Sequence, residues 1–259
     1  MFPFGNINMS QRPLFDLLSP PASVTFNVSQ VALFRMRDLV VDAGAGFNAT
    51  IRGYAREQGP GKGSGASLGS GAGHGGRGGK ANTGASVPGI VYGDTNAPIH
   101  AGSGGGHMWG GRGGGTVRIQ ASKQVTLNGA LTANSQGGVS THGGGGAGGS
   151  IHLWCQTFTS STGATLYAKG GAGNNRGGGG GGGRIAVWIA VPGVIRDNYL
   201  LGIQTQYVER TVSHENFTGL LSVTNGAQGS GALSDPPALP GTAYFYISKH
   251  VPGSVFMIR

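Results

Sequence analysis

A short strand pattern returns in this chain at a fixed step. Thr116-Val117-Arg118-Ile119 is answered by Ser150-Ile151-His152-Leu153 and again by Arg184-Ile185-Ala186-Val187. Aligned on Val117, Ile151 and Ile185, the step is 34 residues both times, and each copy follows a glycine run. The segment behind it repeats as well: Gly129-Ala130-Leu131-Thr132-Ala133 returns as Gly163-Ala164-Thr165-Leu166-Tyr167-Ala168, one residue longer. A fixed period of this size marks stacked units, each too small to bury its apolar face alone and completed by its neighbours. The chain reads first as a scaffold.

Composition sharpens that reading. Of 259 residues, 55 are glycine, about three times the usual share of roughly 7%. There is no strict Gly-X-Y period, which excludes collagen. Apolar residues fall in short alternating runs rich in β-branched residues, so strands are the expected element. The consecutive glycines are expected as ordered arms of polyglycine-II type, because bare backbones can approach each other closely. The single cysteine, Cys155, has no internal partner, and no Cys-x-x-Cys pair is present, so a zinc ribbon or dithiol redox motif is not expected. No run approaches the 18 or so apolar residues of a membrane-spanning helix. The residues from Met1 onward show neither the basic region nor the apolar stretch of a signal peptide. A piece of a longer parent chain is expected, because the sequence begins in mid-pattern and stops abruptly at Arg259.

Three regions are expected: residues 1–37 as a strand or hairpin lead-in, 38–191 as the glycine-rich repeat, and 192–259 as a degenerate final coil with C-terminal strands. In the lead-in, Val24, Phe26, Val28, Val31 and Leu33 carry the alternation. Phe217–Val223 and Thr242–Ile247 are the strand candidates of the last region. The fold class that follows is all-β, a parallel β-solenoid with glycine-rich arms.

Charge is unevenly placed. The formal net charge is +9, and between Gln58 and Val191 nine basic residues face one acid, Asp94. Glycoside hydrolysis usually needs two carboxylates about the scissile bond, and calcium sites need several acidic oxygens. One aspartate supplies neither, so no catalysis is expected. His74, His107, His142 and His152 lack the local spacing of a zinc or copper site, and no metal or cofactor is expected. Gly79-Lys80 and Gly61-Lys62 both fail the phosphate-loop pattern. Arg77, Arg112 and Arg176 each precede a Gly-Gly pair but lie 35 and 64 residues apart, unlike the dense arginine tracts that bind RNA. Nucleic acid is not the expected partner. A basic surface attracts polyanions without any special motif, so acidic polysaccharide is the favoured one. Arg77, Arg112, Arg176 and Trp109 are the candidate contacts, since loops are where a scaffold exposes variable chemistry. Trp154 and Trp188 occupy equivalent repeat positions and are expected to lie along one face, as shelf packing or as a sugar platform.

The order of motifs carries a resemblance. Leu39-Val40-Val41-Asp42, Gly59-Pro60-Gly61, Gly73-His74-Gly75-Gly76-Arg77-Gly78-Gly79, Tyr92-Gly93-Asp94 and Gly177 to Gly183 with Arg184-Ile185-Ala186-Val187-Trp188 follow in sequence. Together they resemble the glycine-rich repeat modules of very large secreted surface proteins of planctomycete and verrucomicrobial bacteria. Similar modules occur in glycine-rich cell-surface proteins of plants and protists. The resemblance spans roughly residues 38–246 and implies an extracellular, non-catalytic module of a surface or matrix protein. Arg56-Glu57-Gln58 departs from it, standing where small residues are usual. The alternative is a phage-type receptor-binding adhesin tip, with binding loops carried on packed polyglycine helices.

Overall fold

A computed structural model describes residues 6–8, 14–16, 32–82, 85–232 and 235–249, the first two stretches as backbone strands only. Val24, Phe26, Val28 and Val31 of the expected lead-in lie outside the described residues.

Strands visit three sheets in rotation. β1 (Asn6–Asn8), β4 (Asp38–Val41), β7 (Gln124–Leu127) and β10 (Thr157–Ser160) form one sheet. β2 (Leu14–Asp16), β5 (Gly46–Asn48), β8 (Ala130–Thr132), β11 (Thr165–Tyr167) and β14 (Leu220–Ser222) form the second. The third is six-stranded and contains β3 (Phe34–Met36), β6 (Thr116–Ala121), β9 (Ser150–Cys155), β12 (Arg184–Ile189), β15 (Thr242–Ser248) and β13 (Val208–Thr211). All the pairings are parallel except β13 with β15. The 34-residue step appears as register, with Val117 opposite Ile151 and Ile151 opposite Ile185.

The expected all-β solenoid class is corrected. The chain is mixed α/β: three sheets of parallel strands are accompanied by a helix, α1 (Gly193–Leu200), between β12 and β13, and the six-stranded sheet ends in an antiparallel pair. Pro192, with φ −56°, breaks off the strand pattern and leads into α1, as proline does at a helix start. Nothing in Gly193-Val194-Ile195-Arg196-Asp197-Asn198-Tyr199-Leu200 alternates at period two, so the segment has no reason to continue as a coil of strands.

Alternation inside the sheets builds the core. Val117, Ile119 and Ala121 of β6 are buried, while Arg118 and Gln120 between them face outward. Ile151, Leu153 and Cys155 repeat the inward set on β9, and Ile185, Val187 and Ile189 repeat it on β12. Phe47, Leu131 and Leu166 stack across the second sheet in the same way. Cys155 is a buried free thiol whose pKa burial pushes up, so it packs as a small apolar residue.

The glycine-rich segments all leave the strands at one corner, between the second sheet and the third: residues 53–115, 133–149, 168–183 and 223–241. Stacked there, they bond to one another instead of forming strands. The N–H groups of Gly144 and Ala147 donate to Gly106 and Ser103, those of Gly145 and Gly148 to Gly178 and Gly181, and that of Gly146 to Gln136. Direction therefore recurs every third residue, the screw of a polyproline-II-like chain, and each segment bonds to neighbours on three sides. Few side chains fit between such backbones. A Cβ on Gly145 would lie 1.8 Å from the Gly171 oxygen, and one on Gly178 would lie 1.9 Å from the Gly79 oxygen. Residues 56–57 tie a neighbouring turn: an Arg56 guanidinium N–H donates to the Met108 carbonyl, and Glu57 Oε1 accepts from His107 N.

Candidate functional site

Outward residues of the six-stranded sheet support a second apolar layer. Trp188 is fully buried, stacked on Tyr246 with ring centroids 4.3 Å apart, and Tyr199 of α1 meets both rings edge-on. Tyr246 titrates above its ordinary range because burial disfavours the phenolate. The loop 92–97 is pinned over this layer. Arg184, itself buried, donates from Nε to Tyr92 O and from Nη1 to Thr95 Oγ1. Trp188 Nε1 donates to Asn96 O at 2.8 Å, and the Tyr246 hydroxyl donates to Asn96 Oδ1. Asp94 Oδ1 accepts the N–H groups of Asn96 and Ala97, so the one acid between Gln58 and Val191 shapes a turn.

Where this covering stops, a cleft of about 290 Å³ opens against the sheet. Its floor is Arg35 of β3, Arg118 and Gln120 of β6, and His152 and Trp154 of β9; Ala97 and Ile99 wall one side, and Arg196, Asp197 and Leu200 of α1 wall the other. Arg118 and His152 are direct register partners, and so are Arg35 and Gln120. The Arg196 guanidinium lies 4.9 Å over the Trp154 ring, whose Nε1 donates to Val191 O. Arg196 also binds Asp197 Oδ1 at 2.9 Å.

The electrostatics are unbalanced. Three guanidiniums and one carboxylate line the cleft, a net +2 with His152 neutral. Arg35 Nε, Arg118 Nε and His152 Nε2 are buried without a hydrogen-bond partner among the described residues. Desolvation, with the charge of Arg35 behind it, lowers the pKa of Arg118. Desolvation first, then the charges of Arg118 and Arg196, bring His152 down to about 4, with Asp94 opposing. Buried donors without acceptors, in a positive field, suit an oxyanion that accepts several charge-assisted hydrogen bonds.

The contacts expected from sequence lie elsewhere, on separate glycine segments. Arg77 is half-buried and its Nε donates to Pro237 O at 3.3 Å. Arg112 is half-buried beside Gln136, whose Oε1 accepts its backbone N–H. Arg176 is exposed on a turn, its carbonyl accepting from Asn82 N. Trp109 is 42% exposed, and its carbonyl accepts from Val139 N. None of the four lines the cleft. The two equivalent tryptophans do face the same way in register, but Trp188 is sealed under the loop and helix and Trp154 carries Arg196, so no open aromatic platform forms.

Among the described residues the histidines do not gather as a metal site. His74 is fully buried, its Nδ1 bonded to Gly148 O at 2.8 Å, and desolvation holds its pKa down to about 3. His107 and His142 sit at turns with φ of 73° and 71°. Among the described residues no three His, Cys, Asp or Glu side chains are placed to share an ion.

Sequence reasoning missed Arg35, His152 and Arg196 as a group with Arg118. A signal for two of them was present: Arg118 and His152 occupy equivalent repeat positions on the outward face, next to Trp154. No family model matches the chain, and searches of curated proteins and of solved structures give no match.

Proposed function

We propose that the chain is a non-catalytic structural and adhesive module of an extracellular surface or matrix protein, and that it binds acidic polysaccharide. The observation that carries this reading is unneutralised positive charge on a frame of stacked sheets and mutually hydrogen-bonded glycine segments. Among the described residues, ion pairs occur at Arg37–Asp38 and Arg196–Asp197. Lys62, Arg77, Lys80, Arg112, Arg118, Lys123 and Arg176 have no acidic partner there, and a polyanion supplies the missing charge. Such attraction acts over about a Debye length, roughly 8 Å at physiological salt, and weakens as salt rises.

The test is retention of the purified chain on immobilised acidic and neutral polysaccharides across a salt series. Retention on acidic polymers alone, falling steeply with salt, supports the reading. Equal retention on neutral polymers, or none on any polymer, overturns it. The adhesin-tip alternative draws support from one place, where Met108, Trp109 and Val139 are exposed on two turns joined by the Val139–Trp109 hydrogen bond. In that case binding is salt-insensitive and is lost in Trp109→Ala.

A further inference from the structure

We propose that the cleft between the outer face of the six-stranded sheet, helix α1 and the loop 94–100 is a discrete site for one oxyanion group of a saccharide, a sulfate half-ester or a uronate carboxylate, held by Arg118, Arg35 and Arg196. This goes beyond diffuse polyanion attraction, because it assigns recognition to guanidiniums of three elements, β3, β6 and α1, that meet at one point.

The floor supplies directed donors. Arg118 projects from β6 beside its register partner His152, and Arg35 comes from β3, the next strand in the sheet. The charge of Arg35 disfavours that of Arg118, and an anion offsets this repulsion while accepting from both. Arg196 is held in place by its stacking on Trp154 and its bond to Asp197, so the wall from α1 is fixed before the ligand arrives. A preset guanidinium loses less freedom on binding than a loose surface one.

Size and lining narrow the ligand. The volume, about 290 Å³, is at the small end of ligand clefts, which run from roughly 300 to 1,000 Å³. It admits a single charged sugar unit. Leu33, Ile99 and Leu200 give an apolar margin, and Trp154 adds an indole edge, surfaces that suit the C–H faces of a pyranose. Nucleic acid, by contrast, engages several phosphates in a row along a track of cations.

His152 provides a second readout. The groups that face it are Arg118 on β6, Arg196 and Asp197 on α1, Arg35 on β3 and Asp94 in the covering loop. Burial first, and then the charges of Arg118 and Arg196, keep its imidazole neutral. An anion beside Nε2 favours the imidazolium, so binding takes up a proton and tightens as pH falls from 7 to 5.

The experiment is calorimetric titration of the intact chain with sodium sulfate, sodium glucuronate, glucose and a short single-stranded DNA, at pH 7 and pH 5 and constant ionic strength. Sulfate keeps its charge over this range, so any pH effect belongs to the protein. The expected result is saturable one-to-one binding of sulfate and glucuronate, no binding of glucose, and at least threefold tighter sulfate binding at pH 5. Arg118→Gln is expected to weaken sulfate at least tenfold, and Ala97→Phe, which fills the cleft from its wall, to do the same with the floor intact. His152→Gln is expected to bind sulfate at pH 7 and lose the pH effect. The triple variant R77Q/R112Q/R176Q is expected to keep sulfate binding. Non-saturable heats, or equal losses in that triple variant, overturn the discrete site. Tighter binding of the DNA than of sulfate or glucuronate overturns the assignment to a saccharide. If polymer retention fails while sulfate still saturates the cleft, the adhesive reading falls and the site stands.

Discussion

In the three-sheet core, side chains fill the interior, and the backbone bonds only to the strands on either side. In the glycine lattice the backbone itself fills space, and successive N–H groups turn to three neighbours in order. Both arrangements satisfy buried polar backbone, which the interior requires. They differ in how a fault is absorbed. A truncated core side chain leaves a void that neighbours partly close. An added methyl in the lattice meets a carbonyl oxygen that is itself hydrogen-bonded and has nowhere to go. The lattice is thus the less tolerant region, although it contains almost nothing that a hydropathy scan would register.

The sharpest way to break this contrast is Gly145→Ala. Its Cβ would sit 1.8 Å from the Gly171 oxygen, and the expected loss exceeds about 4 kcal/mol, the range reserved for severe packing faults, read by urea unfolding. Next in size is Leu131→Ala in the core, where the side chain is fully buried and a loss of about 2–5 kcal/mol is expected. If Gly145→Ala costs no more than Leu131→Ala, the lattice breathes and the contrast fails.

A third prediction uses the buried imidazole of the lattice. His74 is neutral when folded, its pKa held down to about 3 by desolvation, against an ordinary value of 6.5. As pH falls below 6.5 the unfolded chain takes up a proton that the folded chain refuses. Stability is therefore full above pH 6.5 and is lost progressively toward pH 3. Between pH 8 and pH 5 this one group accounts for about 2 kcal/mol, at roughly 1.4 kcal/mol per pH unit below the unfolded value. Urea unfolding at the two pH values reads the loss, and an imidazole NMR titration should find His74 uncharged at pH 5. A His74 that protonates near pH 6 would mean that the lattice admits water.

The smallest effect is expected outside both regions. Gly193 opens α1 and a Cβ there meets nothing within 4 Å. Gly193→Ala is expected to stabilise by about 0.5–1 kcal/mol through the unfolded chain and helix propensity. Thermal unfolding checks it, and a loss instead would mean that α1 tolerates no change in its first turn.

Much of the frame was legible in residues. The step from Val117 to Ile151 to Ile185 reappears as strand register, and the alternation about Arg118 and His152 reappears as inward and outward faces. A repeat must pair with itself, and a strand has only two faces, so local pattern suffices for both. The helix was not legible: its eight residues bury none of their side chains fully and make no side-chain cap, so it leaves little periodic trace. The contact residues drawn from sequence followed arginines that precede Gly-Gly pairs, because that adjacency is visible in a string of letters, whereas the structure half-buries Arg77 and Arg112 and exposes only Arg176 of the three.

The sequence by itself determined that strands would recur in step and that the glycine runs could accept few side chains. Only the tertiary structure decided that Arg35, Arg118, His152 and Arg196 would meet. Their chain separation spans 161 residues, and the meeting depends on α1 docking on the outer face of the third sheet and on Asn96 being pinned above Trp188. No local pattern encodes where a short helix settles, because that position is chosen by which aromatic surface remains uncovered after the sheets have stacked.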